Sequence, residues 1–561
     1  MKPLNEWSYL KGNIKVPLLK ETIGACLDRM AAQHPNDLAL VVPHQDIRWT
    51  YLEYQEKINQ FALGLVALGV KKFDRVGIWA PNCSEWCLAQ FATAKIGAIL
   101  VCINPAYRLS ELEYALNKVE CKVLIMAGSF KKSDYLGMIY ELAPELTNSD
   151  AGALKAERLP HLKVVISLGG DKSNGMYLFS EVMEMLPAGG EGVLTGIGAS
   201  LDPYDAINIQ FTSGTTGSPK GATLTHHNIL NNGYMVGEAL NLDHKDRLCI
   251  PVPLYHCFGM VMGNLACLSH GAAVVLPGPG FDPAITLKVV SQEKCTGLYG
   301  VPTMFIAMLS ELDGNSYDLS SLRTGITAGA PCPEEVMKNV MRHLNMKDIL
   351  NAYGQTETSP VNHITLADDS LQRRVSSVGK ACPHVEIKII NEDGQTLLLE
   401  KQGEICCRGY NVMLGYWNDD QQTQQTIDRD GWLHSGDLGA MDCDGYVKIT
   451  GRIKDMIIRG GENIYPREVE EFLHGHPAIE DVQVFGIPHE KFGEQVCVWI
   501  ILKTGEFLQE GDILDYCRNE IAYFKIPQVI KFVDEFPVTV TGKPLKYIMR
   551  EMMQDSFNLN L

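Results

Sequence analysis

Two kinds of apolar pattern alternate through most of the first 450 residues. Apolar positions at helical spacing, as in "YLEYQEKINQFALGLVALGV", are separated by short β-branched runs such as "DRVGIWAPN", "AILVCINP" and "CKVLIMAG". Short runs that are apolar on both faces are typical of buried parallel strands, which need helical connections. The pattern therefore predicts α/β units over this part of the chain.

The pattern changes near residue 450. The stretch "GYVKITGRIKDMIIRGGENIYPREVEEFLHGHPAIEDVQVFGIP" combines strands, a Gly-Gly turn and a helix that begins at a proline. It predicts a small α+β domain after the short, charged junction "TGRIKD", which has the character of a hinge. We predict an N-terminal domain over 1–451, a hinge over 452–455 and a C-terminal domain over 456–561.

Length and charge narrow the classes of function. With 561 residues the chain is too long for one ordinary core. Its net charge of -18 argues against binding to nucleic acid or to anionic lipid surfaces. Apolar runs such as "IGAILVCI" are far shorter than a bilayer is thick, so we expect no stable membrane insertion.

The cysteines and the start of the chain bear on the compartment. The 16 cysteines are scattered and show no C-x2-C pairing, which favours buried free thiols in a reducing compartment. The first residues, "MKPLNEWSYLKGNIKVP", contain no apolar signal core and are not an Arg-rich transit peptide. We expect a cytoplasmic protein.

One loop, "FTSGTTGSPKG" at 211–221, is rich in glycine and hydroxyl residues and contains a single lysine. Inward-facing backbone N–H groups, hydroxyls and one ammonium would suit a polyphosphate. Such clusters also occur in plain solvated loops, and composition alone leaves that alternative open. The spacing matches neither a Walker loop nor a G-x-G-x-x-G dinucleotide fingerprint.

Five further motifs follow the loop in a fixed order: "ITAGAP" (326–331), "NAYGQTE" (351–357), "WLHSGDLG" (432–439), "GRIKDMIIRGGENIYP" (451–466) and "TGKPLK" (541–546). Together they resemble the motifs of the adenylate-forming, or AMP-binding, superfamily of acyl-CoA synthetases, luciferases and peptide-synthetase adenylation domains. Within it the chain is most similar to the medium-chain acyl-CoA synthetases of bacteria and mitochondria. The resemblance implies an α/β fold: a large N-terminal domain of α/β subdomains with a distorted β-barrel, and a small mobile α+β C-terminal domain.

The resemblance also implies how ATP and CoA bind. The implied contacts to the β- and γ-phosphates are Thr212, Ser213, Gly214, Thr215, Thr216, Gly217 and Lys220. The implied adenine contacts are Gly329, Ala330, Pro331, Tyr353 and Gly354, the ribose contacts are Asp437 and Arg452, and the pantetheine contacts are Gly460 and Gly461. Thr356 is expected at the α-phosphate, and Glu357 is expected to hold Mg²⁺.

Three more residues receive roles from the resemblance. Lys543 would bridge the substrate carboxylate and the α-phosphate, although composition alone makes it an ordinary exposed lysine. Lys454 would be the pivot about which the small domain rotates between the two half-reactions. His256, in "PLYHCFGM", would lie at the carboxylate end of the acyl pocket, whereas a lone histidine is more often a core residue.

The resulting hypothesis is an AMP-forming acid–thiol ligase of fatty acid metabolism that uses ATP, Mg²⁺ and CoA. No aspartate occurs within 253–260, where amino-acid-activating relatives carry one, and this favours an unsubstituted, apolar acid of medium chain length. Two alternatives are an acyl-AMP ligase that loads a carrier protein and a non-catalytic acyl-adenylate sensor. The oligomeric state is not predicted.

Overall fold

The computed structural model describes residues 2–3, 6–170, 172–212, 219–312, 314–330, 332–459, 462–489, 491–518, 520–539 and 542–558. The chain divides into two compact units. We call residues 11–386 with 407–433 the larger unit, and residues 1–10, 387–406 and 434–561 the smaller unit.

The first sheet of the larger unit has eight strands in the order β10-β9-β6-β4-β5-β11-β12-β22. The strands are β4 (Arg75–Trp79), β5 (Ile99–Cys102), β6 (Val123–Ala127), β9 (Val164–Leu168), β10 (Tyr177–Leu178), β11 (Ala206–Thr212), β12 (Lys220–Thr225) and β22 (Gly415–Tyr416). The strands from β10 to β11 are parallel, while β12 and β22 are antiparallel to their neighbours. Parallel strands buried under helices explain the apolar runs of the sequence.

The second sheet has nine strands in the order β19-β18-β17-β16-β15-β13-β14-β2-β3. The strands are β2 (Leu38–Val42), β3 (Ile47–Thr50), β13 (Arg247–Cys249), β14 (Ala273–Val275), β15 (Gly297–Gly300), β16 (Thr324–Ala328), β17 (Asp348–Gly354), β18 (Val361–Ile364) and β19 (Lys380–Ala381). The six strands from β17 to β2 are parallel. Their carboxyl ends therefore lie at one edge, where ligands bind in sheets of this kind. A separate small hairpin joins β7 (Ser129–Phe130) and β8 (Ser133–Asp134).

Helices connect and cover these strands. They are α1 (Ile23–Gln33), α2 (Tyr51–Ala67), α3 (Ser84–Ile96), α4 (Leu109–Lys118), α5 (Tyr135–Leu142), α6 (Phe179–Met183), α7 (Gly192–Ala199), α8 (His226–Ala239), α9 (Ala266–His270), α10 (Pro283–Glu293), α11 (Pro302–Glu311), α12 (Glu334–His343), α13 (Leu371–Ser376) and α14 (Asp420–Thr426). Local chemistry fixes several starts: Thr50 and Glu53 form a capping box before α2, and Thr225 caps α8. A π-helix spans Phe258–Leu265 before α9.

A five-stranded sheet accounts for the first half of the smaller unit. Its order is β1-β20-β21-β23-β24, with β1 (Tyr9–Lys11), β20 (Val385–Ile390), β21 (Gly403–Gly409), β23 (Leu433–Met441) and β24 (Val447–Arg452). Within the described residues the sheet is open, with β1 and β24 as its two edges, so the expected distorted barrel is not closed. Closure needs paired edge strands, and β1 has only three residues with which to pair.

The second half of the smaller unit is the α+β domain that the sequence predicts. Its strands are β25 (Ile457–Arg459), β26 (Glu462–Ile464), β27 (Ile479–His489), β28 (Gly493–Leu502) and β29 (Val529–Phe532). Its helices are α15 (Pro466–His474), α16 (Glu510–Cys517) and α17 (Lys546–Asn558). Its own core, which includes Val469, Val484 and Val498, is almost fully buried. The mixed α/β fold class is thus confirmed.

The cysteines and the lengths of the helices bear on two expectations from the sequence. All sixteen cysteines are free thiols and fifteen of them are buried, as the sequence predicts. Burial raises the pKa of the Cys102 thiol to about 12, so this thiol is unreactive at neutral pH. Among the described residues, none of the helices has the length and apolar composition needed to cross a bilayer.

Candidate active site

The two ends of the glycine-rich loop lie opposite each other. Thr212 is the last residue of β11 and Lys220 the first of β12, and the two are partners across this antiparallel pair. This pairing fixes the two ends of the loop. Five of the predicted phosphate contacts, Ser213, Gly214, Thr215, Thr216 and Gly217, lie outside the described residues.

Lys220 is held by two side chains that the sequence analysis missed. Its ammonium donates to Gln422 Oε1 at 2.5 Å and stands 5.1 Å from the centre of the Tyr416 ring. A surface cleft lined by Lys118, Lys220 and Asp419, among other residues, surrounds the ammonium. The cation is therefore fixed at the base of the loop, with open space beside it.

Glu357 accepts hydrogen bonds from two neutral hydroxyls. Thr212 Oγ1 lies 3.3 Å and the Tyr416 hydroxyl 2.8 Å from Glu357 Oε1. Burial, and then the charge of Glu357, raise the pKa of Tyr416 well above its usual range, so the phenol remains a donor. Neutral donors thus orient the carboxylate, and one of them joins it directly to the start of the glycine-rich loop.

The turn that carries Glu357 is built from local contacts. Strand β17 ends at Gly354, where a Cβ atom would lie 1.8 Å from the carbonyl oxygen of Pro360, so only glycine fits. A 3₁₀ turn, Thr356–Thr358, follows. Burial raises the pKa of the Cys257 thiol well above its usual range, and the nearby side chain of Thr356 opposes this shift.

The predicted adenine contacts lie at the carboxyl edge of the nine-stranded sheet. Gly329 and Ala330 follow β16, and Tyr353 lies near the end of the parallel neighbour β17. Gly329 has φ +88°, a conformation that glycine adopts without strain. The Tyr353 ring lies 5.7 Å from the ring of His363. Pro331, also predicted here, lies outside the described residues.

His256 precedes the π-helix and is half-buried. Its Nδ1 accepts a hydrogen bond from the backbone N–H of Phe258 at 3.2 Å, which leaves the proton of a neutral ring on Nε2. Gly259 follows, where a Cβ atom would lie 2.5 Å from the carbonyl oxygen of Pro253. The histidine is therefore locally fixed rather than part of the hydrophobic core.

Asp437 and Arg452 form an ion pair in the smaller unit. They are partners across β23 and β24, and Arg452 Nε lies 2.8 Å from Asp437 Oδ1. Asp437 is only 3% exposed. A buried carboxylate needs such a partner, and the strand register supplies it.

Lys543 carries its charge near the same ion pair. The residue is exposed as a whole, but protein surrounds its ammonium, and this burial lowers the pKa of Lys543 to about 8. Arg452 and Lys454 lower this pKa further, whereas Asp437 and Asp455 oppose the shift. The structure thus brings four of the predicted residues into electrostatic contact within the smaller unit.

The predicted pivot and pantetheine contacts complete the smaller unit. Lys454 lies exposed in the 3₁₀ turn Ile453–Asp455, directly after β24. Gly460 and Gly461 lie outside the described residues. Sequence reasoning missed Tyr416 and Gln422 because neither belongs to a glycine-rich motif; the one available signal was the aromatic pair in "LGYW".

The chain matches two family models, "AMP-binding enzyme" over residues 27–417 and "AMP-binding enzyme C-terminal domain" over residues 468–543. It is 49% identical over 545 residues to YngI of Bacillus subtilis (strain 168), a provisionally named acyl-CoA synthetase, covering 97% of this chain and 99% of that protein. It is 45% identical over 566 residues to the mitochondrial medium-chain acyl-CoA ligase ACSF2 of Bos taurus, covering 99% of this chain and 91% of that protein.

Solved structures agree with these matches. The anthranilate CoA ligase AuaEII in complex with anthranoyl-AMP superimposes with a TM-score of 0.84 at 28% identity, covering 97% of this chain and 99% of that one. ATP-bound MatB from Rhodopseudomonas palustris gives a TM-score of 0.82 at 27% identity, covering 95% and 99%. The chain therefore belongs to the family of AMP-binding enzymes, as an AMP-forming acid–thiol ligase of the acyl-CoA synthetase type.

Proposed function

We propose that this enzyme converts unsubstituted medium-chain fatty acids into their CoA thioesters, consuming ATP and CoA and releasing AMP and pyrophosphate. The observation that carries the proposal is similarity along nearly the whole chain to a relative named as a medium-chain acyl-CoA ligase. The absence of acidic residues from "PLYHCFGM" adds support, because an amino or hydroxyl substituent would need a polar partner there.

In the first half-reaction a carboxylate oxygen of the fatty acid attacks the α-phosphorus of ATP, and the bond to pyrophosphate breaks. Two anions must approach each other, so positive charge has to compensate as the bond forms. Lys543 bridges the carboxylate and the α-phosphate, Thr356 contacts the α-phosphate, and Lys220 with the glycine-rich loop holds the β- and γ-phosphates. His256 orients the carboxylate end of the acid.

Glu357 is suited to hold Mg²⁺. Its Oε1 already accepts from two neutral hydroxyls, and these contacts orient the carboxylate without neutralising it. Mg²⁺ prefers oxygen ligands and is commonly held by one or two carboxylates together with substrate phosphates and water. When bound, the ion would neutralise charge on the leaving pyrophosphate. Thr212 and Tyr416 orient the carboxylate for this task.

Separate motifs recognise adenine and ribose. Gly329, Ala330 and Tyr353 contact adenine. Asp437 accepts hydrogen bonds from the ribose hydroxyls, and Arg452 both fixes this carboxylate and contacts the ribose.

In the second half-reaction the CoA sulfur attacks the acyl carbonyl carbon and AMP leaves. One rigid arrangement is poorly suited to both pyrophosphate departure and pantetheine entry. The C-terminal domain, residues 456–561, therefore turns about Lys454 relative to residues 1–451, and Gly460 with Gly461 then approaches the pantetheine arm. An exposed turn directly after β24 is consistent with such a pivot.

The cysteines support a reducing compartment, which we take to be the cytoplasm. All sixteen are free thiols. The product is an activated fatty acid, so the role falls within lipid metabolism.

The proposal is tested by pyrophosphate release from purified protein with ATP and Mg²⁺, across saturated acids from acetate to palmitate, each with and without CoA. We expect continuous turnover only with CoA and a maximum at medium chain length. A maximum at another length would correct the substrate class. Release that stops at about one equivalent even with CoA would indicate an acyl-AMP ligase that loads a carrier, and no release with any acid would favour a sensor.

A further inference from the structure

The stretch of β23 that leads into Asp437 is held by a side chain from the neighbouring strand. Glu404 lies in β21, next to β23 in the sheet, and its Oε1 accepts a hydrogen bond from the backbone N–H of Gly436 at 3.0 Å. Gly436 has φ +69° and a Cβ atom there would meet nothing within 4 Å. Side-chain packing therefore does not fix this residue, and the hydrogen bond from its backbone N–H holds this part of β23 to Glu404.

The second oxygen of Glu404 is also occupied. His434 Nδ1 donates to Glu404 Oε2 at 2.9 Å and lies 3.7 Å from the Cys406 sulfur. The neighbouring Cys406 and Glu404 raise the pKa of His434 to about 10. The Cys406 contribution exists only when that thiol is ionised, and burial raises its pKa, so Glu404 is the effective partner at neutral pH. The imidazolium of His434, two residues before Gly436 in β23, thus anchors Glu404.

These contacts converge on Asp437. The backbone N–H of Asp437 donates to Ser435 Oγ at 3.0 Å, and its carboxylate pairs with Arg452 at 2.8 Å. Arg452 therefore fixes the end of the Asp437 side chain, while Glu404 fixes the backbone one residue before it. A carboxylate that must meet two ribose hydroxyls needs both its backbone and its side chain fixed, because small displacements cost hydrogen bonds.

We propose that Glu404, anchored by His434, is a positioning residue for ribose recognition: it sets the backbone from which Asp437 reaches the ribose hydroxyls. The inference rests on the proposed role of Asp437. Glu404 itself touches no substrate; its effect is transmitted through the Gly436 N–H.

The test is the ratio of kcat/KM for ATP to kcat/KM for 2′-deoxy-ATP, measured by pyrophosphate release at saturating fatty acid. A hydrogen bond to a charged group discriminates by one to two orders of magnitude, so the wild-type ratio should be large. Asp437→Asn, the reference, should reduce it about tenfold or more. We expect Glu404→Ala to reduce this ratio about fivefold without changing KM for the fatty acid. Glu404→Gln should keep most of the wild-type ratio, because its amide oxygen can still accept from the Gly436 N–H.

Glu386→Ala is the matched control. Glu386 lies on the neighbouring strand β20, and its side chain is 17% exposed against 18% for Glu404. It pairs with Arg408 and not with Gly436. Its ratio should equal that of the wild type. Thermal unfolding of each variant separates loss of discrimination from loss of the folded state.

The outcomes distinguish the proposed role of Asp437 from that of Glu404. If Asp437→Asn leaves the ratio unchanged, Asp437 does not bind ribose, and both its proposed role and this inference are wrong. If Asp437→Asn lowers the ratio while folded Glu404→Ala does not, the inference alone is overturned. If Glu404→Ala does not fold, His434→Ala carries the test, with an expected fall of about twofold, and an unchanged ratio overturns the inference.

Discussion

Two carboxylates, one in each unit, have opposite surroundings. Glu357 in the larger unit accepts from the neutral hydroxyls of Thr212 and Tyr416. Asp437 in the smaller unit is paired with Arg452 at 2.8 Å, and it also interacts electrostatically with Lys543. Both are acidic residues of a nucleotide-binding enzyme, yet among the described residues only Asp437 of the two is in an ion pair.

The difference indicates which ligand each carboxylate is suited to bind. Neutral donors orient Glu357 without cancelling its charge, so a metal cation remains a favourable partner. Arg452 cancels the charge of Asp437, which is then suited to accept hydrogen bonds from hydroxyl groups. In this part of the smaller unit the cations Arg452, Lys454 and Lys543 outnumber the carboxylates Asp437 and Asp455. The resulting net positive charge is suited to an anionic substrate.

Removing the surplus cation should have the largest effect. We expect Lys543→Ala to slow acyl-adenylate formation about 1,000-fold, because charge that develops at the α-phosphate loses a fixed partner. Thioester formation from supplied acyl-adenylate should stay within about twofold of wild type. Single-turnover assays of each half-reaction measure both. Lys546→Ala, which removes a lysine paired with Glu470, is the control; equal loss of both half-reactions in Lys543→Ala would contradict the assignment.

Neutralising Glu357 tests whether this carboxylate binds the metal ion. We expect Glu357→Gln to slow adenylation about 100-fold and to raise the Mg²⁺ concentration for half-maximal activity. Tyr416→Phe, which removes one orienting hydroxyl, should shift the Mg²⁺ dependence in the same direction by about threefold. Titration of Mg²⁺ at constant ATP gives both values. A lower rate with an unchanged Mg²⁺ midpoint would show that Glu357 acts without the metal.

A proline at the pivot tests whether the C-terminal domain, residues 456–561, must turn about Lys454 between the two half-reactions. Lys454→Pro fixes φ and removes a donor in the 3₁₀ turn after β24. We expect the thioester step to slow about 20-fold and adenylation to stay within about twofold, as stopped-flow traces would resolve. Lys454→Ala, which keeps backbone freedom, should leave both steps near the wild-type rates. Equal slowing by proline would remove the need for a rotation.

The sequence predicts only part of the surroundings of Glu357 and Asp437. Apolar runs specify the parallel sheets, and glycine-rich motifs identify Thr212, Glu357 and Asp437, because turns and close approaches restrict residue choice locally. Tyr416 and Gln422 could not be found this way, since they reach Glu357 and Lys220 only through the pairing of β12 with β22, nearly 200 residues apart in sequence. The barrel expectation failed for a similar reason: closure depends on how strands that are distant in sequence pair at their edges.

The last expected effect concerns pH and tests the positive charge around Lys543 itself. Because the pKa of Lys543 is lowered to about 8, its ammonium loses its proton at a lower pH than an ordinary lysine. The charge is therefore present below pH 8 and lost as pH rises through that value. We expect kcat/KM for ATP in adenylation, which reports groups of the free enzyme, to fall about tenfold between pH 7 and pH 9.

The midpoint of that fall should move in opposite directions when the two neighbours are changed. Arg452 lowers the pKa of Lys543 and Asp437 raises it. Arg452→Gln should therefore shift the fall to higher pH and Asp437→Asn to lower pH, even though both variants bind ATP less tightly, because the midpoint does not depend on the height of the profile. If both variants kept the wild-type midpoint, the titrating group would not be Lys543. The smaller unit would then owe its preference for anions to Arg452, whose charge does not change over this range.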